Sequence, residues 1–283
     1  MSAAPIAFDG ACDCHFHVYE DGYPLAPTAT FKPPHASAEA YRRVQQELGL
    51  TRAVVIQPTG YGFDNRCTLD AMAVLGAGTR AIVVVPPDEP DASLVALDRA
   101  GARGVRGVRY MMLPGGVLPW SGLEATAARI APLGWHIDLQ LDGRELPEHE
   151  ATLLALPCRL AIDHVGRFLG PTDTASPAFL SLARLLDAGR CWVKLSAPYE
   201  SSRSGPPAYA DIAPPGRGLA RAVPVGQQLA ASEPEPGADR TSDARMDAAV
   251  HARRRGVPTH AGRQPGRALR VLSAVAGVFH STV

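Results

Sequence analysis

Ala11-Cys12-Asp13-Cys14-His15-Phe16-His17-Val18 is an apolar run that carries two imidazoles two residues apart. Side chains alternate along a strand with a period of two, so His15 and His17 fall on one side of it and Cys14 on the other. A strand that ends on two histidines ahead of a Pro/Gly-rich loop presents two nitrogens to one substrate atom or metal ion. The rest of the chain has to supply the frame that makes such a strand end useful.

Six further short apolar runs follow at 53–57, 81–85, 107–111, 136–141, 160–164 and 191–196. Between them lie stretches with apolar positions at helical spacing, at 37–48, 68–75, 92–100, 123–131, 148–156 and 178–188. Strand and helix in regular alternation is the pattern of parallel βα units. The expected fold is therefore α/β, a (β/α)8 TIM-barrel type that is incomplete, with strand eight missing or aberrant. In such a barrel the strand ends converge on one catalytic face. His15, His17, Gln57, Thr59, Arg109, Gln140, Asp163, His164 and Ser196 all fall at or just beyond strand ends.

Composition narrows the chemistry. The 283 residues are 46% hydrophobic, enough for one large core. Formal net charge is zero and the isoelectric point is about 7.1, which points away from a nucleic-acid or membrane partner and towards a small molecule. Five unevenly spaced cysteines in apolar runs read as reduced thiols, and a lone Cys12-x-Cys14 is a weak metal signal. No apolar run approaches the roughly 18 residues of a membrane span, and no leader pattern opens the chain. A cytoplasmic protein is expected; the oligomeric state is not encoded in any visible pattern.

Several segments together resemble the amidohydrolase-2 branch of the amidohydrolase superfamily, and within it the 2-pyrone-4,6-dicarboxylate lactonase group. They are Asp13-Cys14-His15-Phe16-His17-Val18, Val55-Ile56-Gln57-Pro58-Thr59 with Asp64-Asn65-Arg66, Gly104-Val105-Arg106-Gly107-Val108-Arg109, Gly134-Trp135-His136, Ile162-Asp163-His164-Val165-Gly166-Arg167, and Val193-Lys194-Leu195-Ser196. The resemblance implies a hydrolase acting on a lactone or related ester of a small carboxylic acid. Its carbonyl would be polarised by His15, His17 and His164, and its carboxylate held by Arg109 and Arg167. Gln57, Thr59, Asn65, Gln140, Ser196 and Tyr199 complete the expected substrate-binding set. Physical chemistry agrees with those roles, since guanidinium matches carboxylate bidentately and neutral imidazole can donate to an oxyanion.

Bland readings stand beside these. Gln57, Thr59 and Asn65 suit turns as well as ligands, Asp163 suits anchoring, and Trp135 and Trp192 suit a core. Metal-dependent relatives are expected to add a histidine at the end of strand five, where this chain has Gln140. No metal and no other cofactor is therefore expected; the alternative is zinc or another divalent ion on His15, His17 and His164, in a hydrolase or decarboxylase. The pattern also departs where the lactonases carry two further arginines, here Pro114-Gly115-Gly116 and Glu200. Loss of two cations favours a monoacid or sugar-derived lactone over a dicarboxylate.

After about residue 214 the character changes. From 215 to 283 there is no Lys, Ile, Tyr or Trp, and arginines are numerous. The stretch Val225-Gly226-Gln227-Gln228-Leu229-Ala230-Ala231-Ser232-Glu233-Pro234, back-translated and read one base later, can give Trp-Gly-Ser-Asn-Trp-Pro-His-Pro-Asn, which resembles the family's strand-eight motif. Two domains are expected: a barrel over 1–214, and an aberrant 215–283 that is frameshifted or partly disordered. A chain so altered could also be a non-catalytic pseudoenzyme.

Overall fold

The computed structural model describes residues 11–100, 104–168, 173–204 and 271–272. They fall in one compact unit, residues 1–228 with 268–283; a second unit, 229–267, lies outside the described residues. Apart from Val271–Leu272, the expectation of a frameshifted or disordered 215–283 lies outside them too.

Strand and helix alternate in chain order: β1 (Cys12–Phe16), α1 (Ala38–Leu48), β2 (Arg52–Ile56), α2 (Arg66–Leu75), β3 (Thr79–Val83), α3 (Asp91–Arg99), β4 (Val105–Met111), α4 (Leu123–Ile130), β5 (His136–Gln140), α5 (Leu146–Ala155), β6 (Arg159–Ile162), α6 (Pro177–Asp187) and β7 (Cys191–Lys194). Local chemistry sets the helix ends. Ser37 caps α1 by accepting from the Ala40 amide at 3.1 Å, and Gly49 ends it in the left-handed region at φ 67°. Ser176 caps α6 ahead of Pro177, whose fixed φ suits a first helical turn.

All strands are parallel and pair in the order β1 to β8, where β8 is only Val271–Leu272 beside β7. The seven-unit expectation holds, and Val271–Leu272 stand in the eighth position. Among the described residues no pairing joins β8 back to β1. The sheet is nevertheless strongly curled. Strands in a flat sheet lie about 4.8 Å apart, which would put β1 and β7 roughly 29 Å from each other. Yet Lys194 on β7 reaches within 3.0 Å of His15 on β1. The protein is an incomplete TIM-type barrel, closed by side chains across the gap.

Alternation assigns the two faces. Tyr110 and Leu139 point to the helices, where the Tyr110 hydroxyl meets Thr126 of α4 at 2.7 Å. Arg109, Asp138 and Gln140, each one residue out of step with them, point inwards. Trp135 and Trp192 are buried as expected, and the Trp135 indole donates to Asp98 at 2.8 Å. All five cysteines are buried and unbridged. Among the described residues no helix is long and apolar enough to cross a membrane.

Candidate active site

The inward faces of β1, β4, β5 and β7 and the loops after β1, β6 and β7 bring three histidines, three cations and three carboxylates together. His15 lies edge-on to both His17 and His164, with ring centroids 4.9 and 4.7 Å away. Proton positions follow from their partners. The Ile56 carbonyl, 2.8 Å from His17 Nδ1, can only accept, so His17 carries its proton there and turns a bare Nε2 to the site. Lys194 Nζ, 3.0 Å from His15 Nδ1, can only donate, so neutral His15 carries its proton on Nε2. The two Nε2 atoms stand 3.3 Å apart, and His15 donates to His17. Sequence reasoning treated both as carbonyl donors; neutral His17 instead offers a lone pair.

Electrostatics keeps the histidines neutral. Burial, with the neighbouring Lys194 charge, holds His15 well below its ordinary value. Burial and then the Arg109 charge lower His17 to about 3, and burial lowers His164 as well. Burial raises Asp163, but the Lys194 and Arg109 charges outweigh it, and the carboxyl ends below the usual range. Lys194 is buried too, yet Asp138 and Asp163 push its ammonium above the ordinary lysine value. Its Nζ lies 2.7 Å from both Asp138 oxygens and 2.9 Å from Asp163 Oδ1. Asp163 meets it as an ion pair without an aligned hydrogen bond.

The loop after β6 carries His164 and Arg167 in a backbone that L-residues rarely adopt. His164, Val165 and Arg167 have φ of 52°, 59° and 44°, and Gly166 has 79°. Each such non-glycine conformation costs about 1–3 kcal/mol, and for β-branched Val165 it is a true outlier. Hydrogen bonds from Gly166 N to Asp163 O and from Arg167 N to His164 O hold the turn. Gly143 packs so closely on it that a Cβ there would stand 2.2 Å from the Gly166 oxygen. The strain aims His164 Nδ1 at Ser196 Oγ, 2.9 Å away, and Nε2 at Glu200 Oε1, 3.6 Å away.

The expected substrate-binding residues separate into two groups. Gln140, Arg167 and Ser196 join the cluster: Glu200 Oε2 accepts from Arg167 Nε and from Gln140 Nε2, each at 2.8 Å. Thr59 lines a small cavity with Arg109, Met111 and the loop 115–118. Gln57 and Asn65 behave as scaffold instead. The Gln57 amide donates to the Gly62 and Asp64 carbonyls and accepts from Thr68, while Asn65 binds Val84 through both its carbonyl and its amide. Polar groups engaged this way shape the loop after β2 and are not left for a ligand. Arg109 is also committed, donating to Gln57 O at 2.8 Å and Gln140 Oε1 at 2.6 Å, so it braces strand ends rather than presenting an open fork. Tyr199 is 69% exposed.

Sequence reasoning missed Lys194 and Asp138 and gave Glu200 no positive role. A lysine inside an apolar strand was the available signal, because lysine is almost never fully buried unless paired. The same web bears on a metal ion. His15, Asp163 and His164 offer donor atoms within 4.8 Å of one another. However, the Lys194 ammonium already sits at 3.0 Å from the first and 2.9 Å from the second. A divalent ion about 3 Å from a fixed ammonium is repelled by on the order of 10 kcal/mol even at an effective dielectric near 20. These donors do not fit a divalent ion while Lys194 holds them.

Comparisons with known proteins cover the same part of the chain. The Amidohydro_2 family (Amidohydrolase) matches residues 12–227, slightly past the boundary expected at 214. The D-galactarolactone isomerase of Agrobacterium fabrum (strain C58 / ATCC 33970) is 35% identical over 217 residues, 76% of this chain and 73% of that protein. The 2-pyrone-4,6-dicarbaxylate hydrolase of Comamonas testosteroni is 34% identical over 225 residues, with 76% and 73% covered. A citric-acid-bound crystal structure of a probable 2-pyrone-4,6-dicarboxylic acid hydrolase from Acinetobacter baumannii superposes with a TM-score of 0.64 at 25% identity, over 74% of this chain and 78% of that one.

Proposed function

This chain belongs to the Amidohydro_2 amidohydrolase family, and we propose that it hydrolyses a lactone or related ester of a small carboxylic acid without a metal ion. The observation that carries the reading is the convergence of three neutral histidines with Arg167, Gln140 and Glu200 at one end of the barrel. Relatives that act on lactones of carboxylic acids support it.

In this reading the lactone carbonyl shares the His15 Nε2 proton, with His164 beside it, so charge that develops on the oxygen meets preset donors. Arg167 takes the substrate carboxylate. Asp138 and Asp163 are fully buried against Lys194, whereas Glu200 keeps 26% of its side chain exposed and is the carboxylate of the cluster that can reach water. Water activated there attacks the carbonyl carbon, the ring C–O bond breaks, and a hydroxy acid leaves. Because Glu200 already faces Arg167 and Gln140, a monoacid or sugar-derived lactone, with hydroxyls in place of a second carboxylate, suits the site better than a dicarboxylate. The five buried, unbridged cysteines support a cytoplasmic setting.

The test is turnover of a lactone panel by the purified chain, with D-galactarolactone, 2-pyrone-4,6-dicarboxylate and aldonolactones, in the presence and absence of a chelator. The expected result is chelator-resistant ring opening, fastest on a polyhydroxylated monoacid. Folded protein that opens none of them, or opens them only with added zinc, overturns the proposal.

A further inference from the structure

A strand ending in His-x-His with both Nε2 atoms 3.3 Å apart is, by distance alone, a ready pair of ligands for one cation. Two tetrahedral nitrogen ligands about 2.0–2.1 Å from zinc stand at a similar separation. Chelation requires both Nε2 atoms to be bare, with both protons on Nδ1. His17 meets that condition through Ile56 O. His15 does not, because its Nδ1 faces the ammonium of Lys194 at 3.0 Å.

We propose that Lys194 is a positioning residue that sets the proton registry of the His15–His17 pair, converting a latent metal chelate into a metal-free hydrogen-bond donor. The ammonium is an internal cation: it is fully buried, bound to Asp138 through both oxygens and paired with Asp163, so its withdrawal would leave Asp138 without its ion pair and Asp163 with only the more distant Arg109, 3.9 Å away. Its position decides which nitrogen of His15 is protonated. Asp163 Oδ1 lies 3.3 Å from the same Nδ1, and without Lys194 it is the group that would accept a proton from it. His15 would then flip to the Nδ1–H form, and two lone pairs would face each other across 3.3 Å.

The inference deepens the metal-free reading and rests on it only for the consequence for turnover; its readouts use no activity, so the two fail separately. In the wild-type chain, long-range 1H–15N imidazole correlations should show His15 as the Nε2–H tautomer and His17 as the Nδ1–H tautomer. In Lys194→Met, His15 should change to Nδ1–H, and zinc followed by calorimetry should bind at one ion per chain, at least 100-fold tighter than to wild type. Lys194→Met combined with Asp138→Asn keeps the charge balance, and it carries the same two measurements should the single variant fail to fold. A wild-type His15 protonated on Nδ1, or equal zinc affinity in wild type and the folded variant, overturns the proposal.

Discussion

Replacing Glu200 by Gln should tighten anion binding while slowing turnover, a combination that few other substitutions in the cluster would give. Glu200 Oε2 lies 2.8 Å from Arg167 Nε, with 26% and 21% of the two side chains exposed. A pair so open to solvent contributes about 0.2–1 kcal/mol to stability, and a Gln oxygen can still accept from Arg167, so the fold should survive. A carboxylate bound at Arg167 would sit about 4 Å from the Glu200 charge. The repulsion at that separation runs from about 1 kcal/mol in water to about 4 kcal/mol at an effective dielectric of 20. For this half-open site the low part of the range applies, about 1–2 kcal/mol, or roughly 5–30-fold in affinity. Citrate, bound by a structural relative, is a suitable probe. Calorimetric titration of citrate should show that gain at about 0.05 M salt and a smaller one at about 0.5 M, where screening is stronger. Lactone turnover should fall by about 10²–10⁴, the usual worth of a proton acceptor. Unchanged or weaker citrate binding in a variant that melts with wild type would refute the claim that Glu200 guards Arg167.

Two further predictions concern stability. Burial raises Asp13 from 3.8 to about 6, so the folded chain holds a proton that the unfolded chain releases between those values. Stability therefore falls as pH rises from about 4 to 6, by about 3 kcal/mol from this group, and stays lower above. Urea midpoints of Asp13→Asn should lack that decline, and parallel curves for variant and wild type would count against it. Gln57→Ala strips hydrogen bonds from the Gly62 and Asp64 carbonyls and from Thr68. It should cost about 3 kcal/mol, or roughly 6–12 °C in melting temperature, with citrate affinity within twofold of wild type. A tenfold loss of citrate binding at unchanged melting temperature would restore Gln57 as a ligand.

Much of the frame could be read from residue patterns. Short apolar runs located all seven full strands, and helical spacing over 37–48 located α1 almost to the residue. The family motifs gathered His15, His17 and His164, which the structure places within touching distance. What could not be read was partnership. The side-chain amides of Gln57 and Asn65 have the same chemistry in a turn as in a binding site, and only the path of the loop after β2 decides between them. Asp138, Asp163 and Lys194 lie on three different elements, and only strand order and register bring both carboxylates within 3 Å of the lysine. The tail was legible as a change of composition; nucleotide sequencing across codons 205–235 would show whether a one-base shift produced it.

The bond between Lys194 and His15 also bears on how the molecule comes into being. It spans 179 positions, and closing so long a loop carries an entropic cost of roughly 4–5 kcal/mol before any contact offsets it. At about 5–20 residues per second, synthesis separates the appearance of His15 from that of Lys194 by roughly 9–36 s. Throughout that interval Asp138 and Asp163, once made, have no lysine to neutralise them, and the histidine pair has no fixed proton arrangement. The buried charge web of the centre thus cannot form before β7 has been made.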